Sequence, residues 1–301
     1  MSNGSSFRSR IYVRKKKTVL SQGQSSAAFL WQQDSSLFGE TRVLPSGLRV
    51  RSLRVPMSRL AGRSILFFSD THIRSDRVRG FFPRVKQGGG TEWLTKAFHE
   101  LFETIPLPSC IAFGGDLAGE AAWLGPAFDF LRTLPSAPPK FAVCGNWELR
   151  RRWIPLERWR ALFADAGFRL LMNESVEANG ILFYGLDDAK EGDGLLSEVK
   201  MPLSRNVCVL SHNPDTAAAM LTPDKLEGGP LILCGHTHGG QFRIPGYGAI
   251  LTSSRFGKRF EYGPYRHTSA DSVLYVTAGI GATWFHSRIC CPPEVLLVNF
   301  C

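Results

Sequence analysis

No stretch of the chain approaches the ~18 consecutive uncharged apolar residues that a membrane-spanning helix requires. The longest candidate, Val273 to Phe285, is short and rich in glycine. The opening residues, MSNGSSFRSRIYVRKKKTVL, are basic but lack an apolar stretch long enough for a signal peptide. These two absences predict a cytoplasmic protein. There is no internal repeat and no low-complexity linker, so one domain is the economical count. Paired cysteines are missing as well: the total of seven is odd, and Cys110, Cys144, Cys208 and Cys234 lie in or at the end of apolar runs, as reduced core cysteines do. The vicinal Cys290 and Cys291 have no companion at zinc-ligand spacing and read as ordinary residues.

Excess charge is absent from most of the chain. The net charge is +10, yet through Arg63 there are twelve Lys or Arg against Asp34 and Glu40, and the remainder holds 24 of each sign. Residues 1–47 therefore read as a basic leader and 48–301 as the folded domain. Such a leader suits anionic lipid or nucleic acid, and a solvated tail is the plain alternative.

What is present is a large core, with 44% hydrophobic residues in 301. Leu48 to Met57 predicts an edge strand leading into the domain. One pattern then recurs, a short apolar run closing on a polar residue: SILFFSD, SCIAFGGD, KFAVCGN, NVCVLSH and LILCGH. Helices are predicted between them over Thr91 to Thr104, Glu120 to Leu134, Pro155 to Ala166 and Pro214 to Leu221. Strand-like runs at Phe168 to Met172, Ile181 to Tyr184, Val273 to Thr277 and Val295 to Phe300 follow without helices between them. The pattern predicts an α/β fold of two packed mixed sheets flanked by helices.

In open α/β sheets, loops beyond the carboxyl ends of strands converge on one edge. The apolar runs deliver Asp70, His72, Asp116, Asn146, His212, His236 and His238 to that edge, including four of the seven histidines in the chain. Singly, each has a structural use as a cap, a turn or a satisfied loop histidine. The pair in GHTHGG is more specific, because alternation along an extended segment puts His236 and His238 on one side. Carboxylates, imidazoles and an amide without thiolate suit Mn²⁺, Fe, Zn²⁺ or Mg²⁺. Seven donors exceed one tetrahedral ion and match two ions sharing a carboxylate at ~3.5–4 Å, a geometry used to clamp phosphate esters.

The ordered series D-x-H, GD, GN, H, GH-x-H resembles the calcineurin-like metallophosphoesterase superfamily from about Leu48 to Phe300. The resemblance implies a four-layer α/β/β/α sandwich with two divalent metal ions, Mn²⁺ favoured. It implies Asp70, His72, Asp116 and His238 as ligands of the first ion and Asp116, Asn146, His212 and His236 as ligands of the second, with Asp116 bridging. Asp116, Asn146 and His236 are the implied catalytic residues, and a bridging hydroxide is the implied nucleophile. SHNPD, GHTHGGQ with Tyr247-Gly248, LYVTAGIG and the C-terminal Pro-Pro-Glu-Val resemble the bacterial YkuE/YaeI-like branch, which includes UDP-2,3-diacylglucosamine pyrophosphatases of the LpxG type. The implied reaction is hydrolysis of a diphosphate bond in a nucleotide-linked lipid, with a peripheral position on the inner membrane. Hydrolysis of nucleic acid or other diesters is one alternative, and a catalytically weak metal-binding scaffold is a second.

One position departs from the pattern. Most of the superfamily reads GNH where this chain reads Gly145-Asn146-Trp147, and an indole N–H donates hydrogen bonds without acting as an acid. Beside it, Trp147, Arg150, Arg151 and Arg152 are candidate substrate-binding residues, together with Arg74. Arg77, Arg79, Phe81, Phe82, Arg84 and Lys86 continue a basic, aromatic loop suited to an anionic amphiphile.

Overall fold

The strands of the domain are apolar on both faces, and each face has its own partner. Ile65 and Phe67 belong to one buried cluster and Leu66 and Phe68 to another. Cys208 and Leu210 divide from Val207 and Val209 in the same way. Side chains alternate across a strand, so a run without polar residues must sit between two layers. Three buried clusters result, and three interfaces define four layers, α/β/β/α.

The computed structural model describes residues 28–74, 90–188, 191–192, 206–221, 223–226, 228–283 and 287–301. The basic run before Ala28 and the loop side chains Arg77, Arg79, Phe81, Phe82, Arg84 and Lys86 lie outside the described residues. The first sheet runs β2 (Phe38–Val43), β3 (Arg49–Val55), β16 (Glu294–Phe300), β4 (Ser64–Phe68), β5 (Cys110–Phe113), β6 (Lys140–Ala142) and β7 (Arg169–Leu170). The second runs β1 (Trp31–Gln33), β14 (Gly263–His267), β15 (Val273–Val276), β11 (Leu231–Cys234), β10 (Val207–Ser211), β9 (Ile181–Leu186) and β8 (Glu174–Ala178). β4 to β7 are parallel, as are β9, β10, β11 and β15, while β16 runs antiparallel to β4 inside the first sheet and β1, β2, β8 and β14 pair antiparallel toward the other margins. A separate two-stranded hairpin pairs β12 (Arg243–Ile244) with β13 (Gly248–Ala249).

Helix α1 (Thr91–Thr104) buries Leu94, Ala97, Phe98 and Leu101, one face of a 3.6-residue period, against the first sheet. Helix α2 (Leu124–Arg132) follows a short 3₁₀ turn, and α3 (Asn146–Arg150) precedes α4 (Leu156–Asp165), which buries Trp159 and Phe163. On the outer face of the second sheet, α5 (Pro214–Met220) starts at Asn213, whose side chain accepts from the Asp215 N–H, with proline at the first turn.

Two expectations need correction. Leu48 to Met57 is not an edge strand: β3 lies between β2 and β16, because the C-terminal strand pairs with it in parallel along its whole length. The leader through residue 47 also gives way at Ala28. Residues 31–33 and 38–43 form the outer strand of each sheet, and Ala28, Trp31 and Leu37 are buried. Their short, polar-rich segments hid this, since an edge strand needs few apolar residues to hold its place.

Trp31 packs edge-on against His267 and joins the third core cluster. Trp31→Ala is expected to lower unfolding free energy by about 3–5 kcal/mol, as large aromatic truncations in cores do. A urea midpoint equal to the parent's would return residues 28–47 to a dispensable leader.

Candidate metal centre

The pairing of β4 with β5 continues past both strands. Asp70 N–H donates to Gly115 O at 2.9 Å, His72 N–H to Asp116 O at 3.0 Å and Ile73 N–H to Leu117 O at 2.9 Å. The two loops run side by side as a distorted extension of the sheet. Nine non-glycine residues among those described have positive φ, and five of them are Asp70, His72, Asp116, His236 and His238. That conformation costs ~1–3 kcal/mol per residue and survives where the surroundings over-determine it. Here it turns successive side chains toward one point. Glycines permit the approach: a Cβ on Gly145 would overlap the Asp116 carboxylate, and one on Gly235 would overlap that of Asp70.

The seven predicted donors are all buried and come from both sheets. His72 Nε2 and His238 Nε2 face each other at 3.1 Å, with Asp70 Oδ1 at 4.0 and 3.6 Å respectively. His72 Nε2 and His212 Nε2 each lie 3.4 Å from Asp116 Oδ2. His212 Nε2 also meets Asn146 Oδ1 at 3.1 Å and His236 Nδ1 at 3.2 Å. Two overlapping donor groups follow, Asp70–His72–His238 and Asp70–Asp116–His212, each with its ligand atoms within 4.8 Å of one another.

The donor chemistry fits cations. His212 Nδ1 lies 2.8 Å from Gly114 O, which can only accept, so Nδ1 carries the hydrogen. Nε2 then turns a lone pair toward Asn146 Oδ1 and Asp116 Oδ2, an arrangement of acceptors that needs a shared positive charge. A proton can supply it: burial disfavours the charged ring, but Asp116 outweighs burial and raises His212 to about 10. Burial likewise opposes the Asp116 anion, and His212 more than reverses this, holding the carboxyl below its ordinary range. For His72 burial wins over the opposing pull of Asp116 and lowers the ring to about 4, so it is neutral and available as a ligand. Its Nδ1 has no hydrogen-bond partner among the described residues.

The candidate substrate residues divide. Trp147 donates its backbone N–H to Asp116 Oδ1 at 2.8 Å and sets its ring edge-on to His72 at 5.2 Å between centroids, so the indole walls the site. Arg151 is buried, donating to the Trp147 and Ala118 carbonyls at 2.9 and 3.0 Å. Arg74 is also buried and holds Ala282 O at 2.5 Å. Both guanidiniums are engaged with main chain. Arg150 pairs with Glu191 at 3.2 Å, and Arg152 is exposed.

Two residues that sequence reasoning passed over support the centre. Glu148, fully buried, accepts from the N–H groups of Asp116, Leu117 and Gly145 at 2.8–2.9 Å, pinning two ligand loops with one carboxylate. The signal was available, since an acid at the third position of a helix can reach back to the free N–H at its start. Arg288, also buried, donates to Gly281 O at 2.8 Å and Ala278 O at 2.7 Å, with its Nη2 3.4 Å from His238 Nδ1. No local motif marks it.

A family model described as calcineurin-like phosphoesterase matches residues 63–240, more than half of the chain and all seven donors. The chain belongs to the calcineurin-like phosphoesterase family. This metallophosphoesterase is 30% identical over 202 residues to phosphodiesterase YaeI of Escherichia coli, covering 64% of this chain and 70% of that protein. It is 33% identical over 146 residues to the uncharacterized metallophosphoesterase YkuE of Bacillus subtilis, covering 46% of this chain and 48% of that one. To the UDP-2,3-diacylglucosamine pyrophosphatase LpxG of Chlamydia trachomatis it is 28% identical over 154 residues, covering 48% and 45%. The matches thus span about half the length of the second and third of these relatives.

Burial pushes the Asp70 carboxyl up to about 6. Asp70 belongs to both donor groups, so below pH 6 its proton competes with a cation and above pH 6 it does not. Protein loaded with Mn²⁺ and dialysed on either side of pH 6 should retain much less metal on the acid side while its circular dichroism is unchanged. Equal retention would contradict this assignment.

Proposed function

We propose that the protein is a dinuclear-metal phosphohydrolase that cleaves a diphosphate bond in a nucleotide-linked lipid such as UDP-2,3-diacylglucosamine. The observation that carries the reading is a cluster of seven buried donors with Trp147 at its wall, in the position where most of the superfamily has histidine. Asp70, His72, Asp116 and His238 would hold one ion, and Asp116, Asn146, His212 and His236 the other. Two divalent ions, Mn²⁺ favoured, supply neutralisation of phosphate oxygens and activation of water. The residues themselves fix the geometry: Gly114 O orients His212, and Glu148 holds the Asp116 and Asn146 loops together. Asp116→Ala should remove both bound metal and activity, because Asp116 faces His72 and His212 at once. Full metal content in that variant would overturn the bridging role.

Leaving-group chemistry supports the diphosphate. An alkoxide leaves poorly unless protonated, and a positioned acid contributes ~10²–10⁴ in rate. A departing phosphate needs no such acid, since its second pKa is about 6 and the anion is stable at neutral pH. Trp147 has a donor N–H and no transferable proton, so it suits the second case. A diester reading is favoured by the likeness to the E. coli phosphodiesterase. Trp147→His distinguishes the two: it should raise turnover of alkyl diesters more than turnover of a UDP-lipid or of nitrophenyl esters. Should the parent hydrolyse DNA or alkyl diesters as fast as UDP-2,3-diacylglucosamine, the diester reading takes precedence.

A lipid substrate also gives the basic N-terminal region a role on the cytoplasmic face of the inner membrane. Anionic lipid is the preferred partner there, ahead of nucleic acid. No helix among the described residues is long and apolar enough to cross a membrane; the association proposed is peripheral.

A further inference from the structure

Nine large hydrophobic residues are exposed among those described, and four of them fall between residues 244 and 251: Ile244, Tyr247, Ile250 and Leu251, from 49% to 78% exposed. Singly exposed apolar side chains need no explanation, but a cluster of this kind marks an interaction site. These four lie on or beside the β12–β13 hairpin, where β13 ends at Ala249. From Gln241 to Phe260 the sequence contains Arg243, Arg255, Lys258 and Arg259 and no acid. Arg243 is committed to Glu261 at 3.0 Å. The other three border an open cleft of about 760 Å³, with Phe29 and Phe256 in its lining.

Hairpin and cleft form one surface. Lys258 Nζ stands 3.4 Å from the centroid of the Tyr247 ring and donates to Tyr247 O, while the Arg259 guanidinium lies 4.3 Å over the ring of Phe29, itself 62% exposed. The surface is also tied to the metal centre. Ser253 donates its hydroxyl to His236 O at 2.7 Å, and Thr237 donates to Glu261 O at 2.9 Å, so the segment leaves the ligand pair, forms the hairpin and returns.

We propose that this hairpin and the cleft beside it dock the protein on an anionic lipid bilayer, with Ile244, Ile250 and Leu251 entering the interface and Arg255, Lys258 and Arg259 meeting lipid phosphates. Aliphatic side chains beside cations, in a stretch from Gln241 to Phe260 that holds no acid, match the two faces of an interfacial membrane anchor. The surface adjoins the catalytic centre, so a substrate head group would be taken from the plane in which the lipid lies. The inference rests on the proposed reading only for that last step. Docking and catalysis are read by separate measurements.

The test is flotation of the full-length protein with phosphatidylcholine vesicles made with or without phosphatidylglycerol. Removing Arg255 and Lys258 together (R255Q/K258Q) should weaken binding to anionic vesicles by about fivefold for each residue, the effect of ~1 kcal/mol per basic group near such a surface. It should leave binding to neutral vesicles unchanged. I250S/L251S should weaken binding to both. Neither pair touches a metal ligand, so turnover of soluble bis-p-nitrophenyl phosphate should stay at the parent's level, which reports a folded site. Parental flotation by both variants would transfer membrane binding to the N-terminal region and overturn the proposal. So would a parent that fails to float, or light scattering in which I250S/L251S turns a dimer into a monomer.

Discussion

Buried like-polarity groups aimed at one another are the constraint on which the rest of the structure depends. Asp70 and Asp116 are fully desolvated carboxyls, and four imidazoles turn nitrogen toward them or toward each other at 3.1–4.0 Å. Isolated buried charge costs several kcal/mol even after relaxation, and a buried lone pair facing another gains nothing. The Asp116–His212 pair shows how the chain meets this cost with a proton, and two divalent ions would meet it with a larger and better-centred charge. Stability and metal affinity are therefore linked at this site. Each ligand that a proton holds must release it on binding.

Holding the cluster requires backbone that would not adopt such a shape alone. Five left-handed residues occur among the seven candidate donors, and their loops are fixed by neighbours rather than by local preference. Glu148 is the clearest of these, since three N–H groups from two loops converge on it. From the other side, Gly281 N–H donates to Asp70 O and Ile280 N–H to Ser69 O, bringing the loop after β15 against the first ligand. The four-layer core supplies the rigidity that makes these contacts permanent. Strands packed on both faces cannot slip without moving side chains out of two clusters at once.

The sequence was readable where chemistry repeats with strand period. Apolar runs closing on Asp70, Asp116, Asn146, His212 and His236 revealed the α/β class and the edge at which these buried side chains gather, because a buried strand must be apolar and loops converge at its carboxyl end. Helix α1 was readable to the residue from its amphipathic spacing. β1 and β2 were not. Trp31-Gln-Gln and Phe38-Gly-Glu-Thr-Arg-Val are marginal strands whose pairing is decided by β14 and β3, partners remote in sequence. Arg288 and the inward turn of Arg74 and Arg151 were hidden for a related reason. A charged side chain reads as exposed until the fold provides carbonyls for it, here Gly281, Ala282 and Ala118.

Those buried arginines change how the site meets a phosphate. Arg74 and Arg151 are bound to carbonyls and serve the fold, while Arg150, paired with Glu191, and Arg152 stay at the surface beside Trp147. Arg151 in addition lies 5.9 Å over the Trp147 ring, which fixes the indole against His72. Its positive charge thus serves to position an aromatic wall. A wall of this kind excludes water from one side of the donor cluster, and exclusion of water strengthens every electrostatic interaction inside. On the proposed reading, tryptophan where the resembled superfamily mostly has histidine would act in two coupled ways, removing a proton donor and excluding water from one side of the cluster. A reaction whose leaving group is already a stable anion loses nothing by the first change and gains from the second.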